Sequence, residues 1–138
     1  MTDAGFEKLT QSDTPLYGPK KLIVCGLSAE LQPKFEKVLD MAGLKEVSLV
    51  WAHESQQDAR LSELTDLPSG SGRGDSSALP RAIIVAGITE RQLQTLMAVC
   101  RQSGMKNSLW ATLTPTSETW LLKNLLAELL AERKALQK

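Results

Sequence analysis

The sequence predicts an α/β protein made of a duplicated β-α-β-α unit, with four strands in a mainly parallel, three-layer sheet of order 2-1-3-4. Three observations carry this. Short apolar runs closed by glycine alternate with longer stretches of helical periodicity. The pattern restarts at Pro80, and a single offset lays Ile23 on Ile84, Val24 on Val85, Gly26 on Gly87, Ser28 on Thr89, Val38 on Val99 and Gly43 on Gly104. The second strands prefer an offset one position shorter, which matches Ser48 with Ser108, Leu49 with Leu109 and Leu61 with Leu121. The connection between the halves, 53–80, holds a candidate helix and so suits a crossover. A ferredoxin-like α+β sandwich, whose halves are joined by a hairpin, is the alternative.

Residues 1–19 mix Gly, Thr, Ser, Asp and two prolines around Phe6, Leu9, Leu16 and Tyr17, the composition of an irregular arm. Residues 20–138 form the single domain expected for this length. Its first strand is KKLIVCGL, apolar without alternation from Leu22 to Cys25, as a strand covered on both faces requires. Ser28 opens a helix with Leu31, Phe35, Val38, Leu39 and Ala42 inward and Gly43 as its stop. Pro33 lacks a backbone donor, so either the regular helix begins near Gln32 or its first turn is distorted. Residues 46–52, EVSLVWA, set Val47, Leu49 and Trp51 on one strand face.

The stretch HESQQDARLSELTDL suits a short helix capped by Ser55 and Asp58, with Leu61 and Leu64 inward. PSGSGRGDSSALP follows with the composition of a flexible loop, placed at 67–80. Its Arg73-Gly74-Asp75 tripeptide is best explained as solvated loop, since the start of the chain lacks the basic and apolar regions of a signal peptide. RAIIVAGI is the third strand. Thr89 to Gln102 forms a helix with Leu93, Leu96, Met97 and Cys100 inward, Gly104 ends it, and 108–113 is the fourth strand.

Pro115 stops that strand, and Thr116 or Ser117 with Glu118 suits the start of the last helix. There Leu121, Leu122, Leu125, Leu126, Leu129 and Leu130 fill about half the circumference, wider than the roughly 100° that one sheet face covers. The excess calls for the N-terminal arm or a second subunit.

Within residues 81–132, Leu109, Ala111, Leu113, Thr114, Pro115, Thr116 and Trp120, followed by Leu125, Glu128 and Leu129 on the helix, form a pattern that resembles the bacterial domain-of-unknown-function family numbered 3783. Trp110 stands where the family has Lys, and Ser117 where it has Asn. The resemblance implies the fold of this region and no activity.

Sixteen basic residues balance sixteen acidic ones, so no net field would recruit nucleic acid or an anionic membrane. Two isolated cysteines, Cys25 and Cys100, lack metal-ligand spacing and suit buried free thiols in a reducing cytoplasm. No apolar run reaches the length of a membrane span.

In an open parallel sheet, ligands sit beyond the carboxyl ends of the strands. That edge would gather Ser28, His53, Thr89, Thr114 and Thr116 as ligand-binding candidates, with Gly26 and Gly87 offering backbone donors to an anion. His53 beside Glu54 lacks a paired nucleophile, so there is no catalytic set, and neither a metal site nor a cofactor is expected. The interface candidates are Trp110, Trp120, Leu122, Leu126 and Leu130, on an expected homodimer or protein-partner surface. The leading expectation is therefore a non-catalytic interaction or self-association module using the C-terminal helix. A small-ligand or anion-binding domain, enzymatic or not, with its site at the strand ends is the alternative.

Overall fold

A computed structural model describes residues 14–105 and 108–136; most of the expected N-terminal arm, with Phe6 and Leu9, lies outside the described residues. Four strands, β1 (Lys21–Cys25), β2 (Ser48–Ala52), β3 (Ala82–Ala86) and β4 (Leu109–Thr112), form one sheet in the order β2-β1-β3-β4. The helices are α1 (Gln32–Met41), α2 (Leu61–Thr65), α3 (Glu90–Gln102) and α4 (Leu122–Leu136). The order is the one predicted, and the sheet is open and mixed: β1 with β2 and β3 with β4 are parallel, whereas β1 and β3 run antiparallel.

The strands are apolar on both faces because both are covered. On one face Leu22, Val24, Trp51, Ile83 and Val85 pack with Phe35, Val38 and Leu39 of α1 and Leu93, Leu96 and Cys100 of α3. On the other, Ile23, Cys25, Val50 and Ile84 pack with Leu61 and Leu64 of α2 and Leu122, Leu125 and Leu126 of α4. Burying each large side chain contributes about 1.5–3 kcal/mol, so both layers are needed against the entropy of ordering the chain.

Both expectations for Pro33 are met. Residues Ala29–Leu31 form a 3-10 turn, and the regular helix begins at Gln32 with proline in its first turn. The expected Ser55 and Asp58 caps are not used. Instead Gln56 Oε1 accepts from the His53 N–H, Glu63 Oε1 accepts from the Arg60 N–H, and Asp58 pairs with Lys123 at 2.7 Å.

The last helix also begins later than Thr116 and Ser117 suggest. Thr114 and Ser117 instead close a local turn, in which Ser117 Oγ accepts from the Thr114 N–H and Thr114 Oγ1 from the Ser117 N–H. A 3-10 turn at Ser117–Thr119 and the extended Trp120 follow before α4 starts.

Lys21 pairs with Ser48 and Ala82 with Leu109, the same spacing in each half. Equivalent strand positions therefore keep one offset throughout, the one that relates Ile23 to Ile84. The shorter offset expected for the second strands is not followed, because a one-residue shift would turn every side chain of the strand to the other face of the sheet. Where the halves meet, Ile23 faces Ile84 and Arg60 bridges Leu121, and each of these pairs joins equivalent positions.

Candidate functional site

The antiparallel β1·β3 pair divides the residues that an all-parallel sheet would bring to one edge. Cys25 lies opposite Ala82 and Lys21 opposite Ala86, so the carboxyl end of β1 neighbours the amino end of β3. Ser28 and His53 therefore lie at one end of the sheet, and Thr89, Thr114 and Thr116 at the other. The five ligand-binding candidates do not meet in one site. Their division corrects the expectation of a single strand-end site.

At each end the chain itself fills the space beyond the strand. A Cβ on Gly26 would collide with backbone atoms of Leu79, Pro80 and Arg81, and one on Gly87 with those of Pro19 and Lys20. The segment entering β3 thus lies on the end of β1, and the segment entering β1 lies on the end of β3. Several of the backbone donors that an anion would need are also engaged. Ser76 Oγ accepts from the Ala29 N–H at 2.9 Å, Gln92 Oε1 from the Thr89 N–H at 2.8 Å, and the Tyr17 carbonyl from the Gly87 N–H at 3.2 Å. Thr89 caps α3 by accepting from the Gln92 N–H. The first amides of α4 go to the Ala59 and Gln57 carbonyls. Ligand capture at these helix starts would have to break internal bonds.

The Gly-Ser stretch expected to be a flexible loop is held along the outer edge of β2. The Trp51 N–H donates to the Ser71 carbonyl at 2.8 Å and the Gly70 N–H to the Leu49 carbonyl at 2.7 Å. Gly72 packs so closely on the Trp51 carbonyl that a side chain would not fit. Gln32, buried in the first turn of α1, accepts from the Gly74 N–H at 2.7 Å and donates to the Asp75 carbonyl at 3.0 Å. His53 Nε2 is 3.3 Å from the same carbonyl, and Glu54 accepts from the Ala78 N–H.

Arg73 meets Glu36 through two bonds of 2.9 and 2.8 Å, and hydrogen bonding from the guanidinium lowers the Glu36 pKa from its ordinary value. The Arg-Gly-Asp tripeptide is thus tied to α1. A groove of about 450 Å³ runs beside this closure, with Leu39, Val47, Leu49 and Trp51 in its wall. Sequence reasoning missed Gln32, whose only signal was its place directly before Pro33.

The interface candidates separate as well. Leu122 and Leu126 are 0% and 3% exposed in the core, which removes them from any surface of the folded domain. Trp110 packs on the α1/α3 side of the sheet, whereas α4 and its leucines cover the opposite side. Trp120 and Leu130 remain, exposed by 36% and 40%. Trp120 lines a shallow groove of about 460 Å³ with Arg60, Thr119, Leu121, Asn124 and Glu128. Arg60 Nη1 donates to the Thr119 carbonyl there, so part of the guanidinium is already used.

The thiols are buried and unactivated. Burial pushes Cys25 up to about 12 and Cys100 to about 11. Among the described residues no cluster of three or more His, Cys, Asp or Glu is placed to hold a metal ion, and no helix is long and apolar enough to cross a membrane.

These features define an open, mixed α/β sheet whose strand ends are closed by its own chain. Residues 81–136, spanning β3 to α4, match the family model described as Domain of unknown function (DUF3783). No curated protein and no solved structure matches the chain.

Proposed function

We propose that the protein is a non-catalytic, cytoplasmic single-domain module that acts by binding a protein partner or a second copy of itself, with its working surface on the C-terminal half. The observation that carries this reading is the course of α4. Its core contacts are Leu122, Leu125 and Leu126, yet the helix continues to Leu136 with Leu130 exposed. A helix that runs well past its last fully buried leucine offers apolar surface that the core does not bury among the described residues. Trp120 lies before the start of the same helix.

The zero net charge supports a protein partner over nucleic acid. The ligand-binding alternative has less support, because the donors and spaces at the strand ends are taken up internally.

A duplicated unit underlies this reading. Two of the contacts between the halves, Ile23 with Ile84 and Arg60 with Leu121, each join a residue to its equivalent in the other half, and the Leu61 N–H to Trp120 carbonyl bond has its counterpart in the Leu122 N–H to Ala59 carbonyl bond. Both are what a two-fold axis between equivalent halves requires.

The test is native mass spectrometry of gently purified protein beside Leu130→Glu and Trp120→Ala. An assembled species in the parent that is lost in these variants, with thermal unfolding unchanged, is expected. A parent that carries a reproducible small-molecule mass and stays monomeric would refute the reading.

A further inference from the structure

The two outer edges of the sheet are treated differently. On β2 the outward groups of Leu49 and Trp51 are bonded by the Gly70 amide and the Ser71 carbonyl. The equivalent positions in the second half are Trp110 and Thr112 of β4. Leu109 and Leu113 donate inward to the Arg81 and Val85 carbonyls, which turns the N–H and C=O groups of Trp110 and Thr112 outward. Among the described residues no partner is found for these outward groups. The edge also lacks the usual guards, since residues 108–113, SLWATL, contain neither a charge nor a proline.

We propose that β4 pairs antiparallel with β4 of a second copy, about a two-fold axis through Ala111, joining two sheets into one continuous sheet. This rests on the interaction reading above and names its surface and occupant. Three features of the strand favour its own copy. Trp110 falls opposite the partner copy's residue 112 and the reverse, so each pair exchanges both backbone bonds and sets an aromatic ring beside a β-branched side chain. Ala111 falls opposite itself at a non-hydrogen-bonded position, where Cα atoms approach to about 4.5 Å and a small side chain fits. An uncharged strand in a chain of zero net charge meets no like-charge opposition when paired with itself.

The same arrangement already joins the halves within one chain, where β1 and β3 pair antiparallel with Ile23 opposite Ile84. The α4 helix covers β4 on one face, so the dyad brings the two copies of α4 to the same side of the joined sheet.

The test is the oligomeric state of the full chain across a concentration series from submicromolar to millimolar, by sedimentation and native mass spectrometry. A species of twice the 15.1 kDa chain mass is expected. Thr112→Pro deletes an outward N–H that bonds nothing within the described chain, and should give a monomer with an unchanged far-ultraviolet spectrum. If it does not fold, Trp110→Lys, which puts a charge on the edge without touching the inner ladder, should do the same. Ala111→Cys should cross-link to its copy on mild oxidation. A parent that stays monomeric throughout the series overturns the proposal. So does a dimer that survives both edge variants. A dimer of that kind lost only in Leu130→Glu leaves the α4 reading standing while removing the β4 pairing.

Discussion

Replacing Gly87 by alanine measures whether the strand ends are closed as tightly as the fold indicates. Gly87 has φ of 74°, and an added Cβ would run into the backbone of Pro19 and Lys20. The left-handed conformation costs an L residue about 1–2 kcal/mol, and crowding a packed backbone adds roughly 1–3 kcal/mol. The total is about 2–5 kcal/mol, a large share of the roughly 5–15 kcal/mol typical of a folded domain.

Gly43 provides the control. Its φ is 77°, but nothing lies within 4 Å of an added Cβ, so alanine there should cost only the conformational part of about 1–2 kcal/mol. Urea unfolding of both variants isolates the packing contribution as the difference between them. Equal losses would refute the argument, because the entry segment of β1 would then not be held against the end of β3. The space beyond the strand would again be open to a ligand.

Leu126→Ala should cost about 2–5 kcal/mol and Leu130→Ala less than about 0.5 kcal/mol in urea unfolding, since only the former is buried. Gln32→Ala removes the anchors of Gly74 and Asp75 and should cost about 1–3 kcal/mol, with faster hydrogen exchange at the Gly70 and Trp51 amides. Glu36 has a folded pKa held down by Arg73, so its contribution is complete above the ordinary carboxylate range and is lost as pH falls through the folded value. Glu36→Gln should flatten that part of the acid unfolding curve, by no more than about 1 kcal/mol for so exposed a pair. Cys25 and Cys100 should resist iodoacetamide at mildly alkaline pH in the folded protein and react fully in urea, because burial keeps both as thiols.

Periodicity made the elements legible. The continuous runs at 22–25 and 82–86 suited strands covered on both faces, and the length of the connection at 53–80 favoured the observed strand order over a hairpin-linked sandwich. The direction of one half against the other was not legible. A strand buried on both faces has the same apolar pattern whether its neighbour runs with it or against it. That one direction decides where Ser28, His53, Thr89, Thr114 and Thr116 lie, so the candidate site could not be read from residue types. The caps were missed for a related reason. Within HESQQDARLSE many side chains can accept an amide, and only the folded path shows that Gln56 and Glu63 do so.

The difference between the halves supports the proposal that the C-terminal one is the side that meets partners. Both have a strand, a helix, a parallel strand and then a helix on the same face of the sheet. In the first half that last helix stops at Thr65, where Lys21 Nζ donates to the Thr65 and Leu67 carbonyls at 2.6 and 2.7 Å and Pro68 follows. The chain released there turns back and lies along β2, closing the edge with its own backbone. Position 82, which corresponds to Lys21, is alanine and has no such donor, and no proline interrupts the chain after Leu126. The helix runs on to Leu136, and among the described residues no segment pairs with the outer edge of β4. Among the described residues, one lysine and one proline thus separate a half whose outer strand is bonded by its own chain from a half whose outer strand has no such cover. Transplanting the second arrangement into the first, by Lys21→Ala with Pro68→Ala, should lengthen α2 and expose the β2 edge, read as lost exchange protection at the Trp51 amide. Unchanged protection there would mean that the Gly-Ser loop holds β2 without help from the helix stop, and that the asymmetry has another origin.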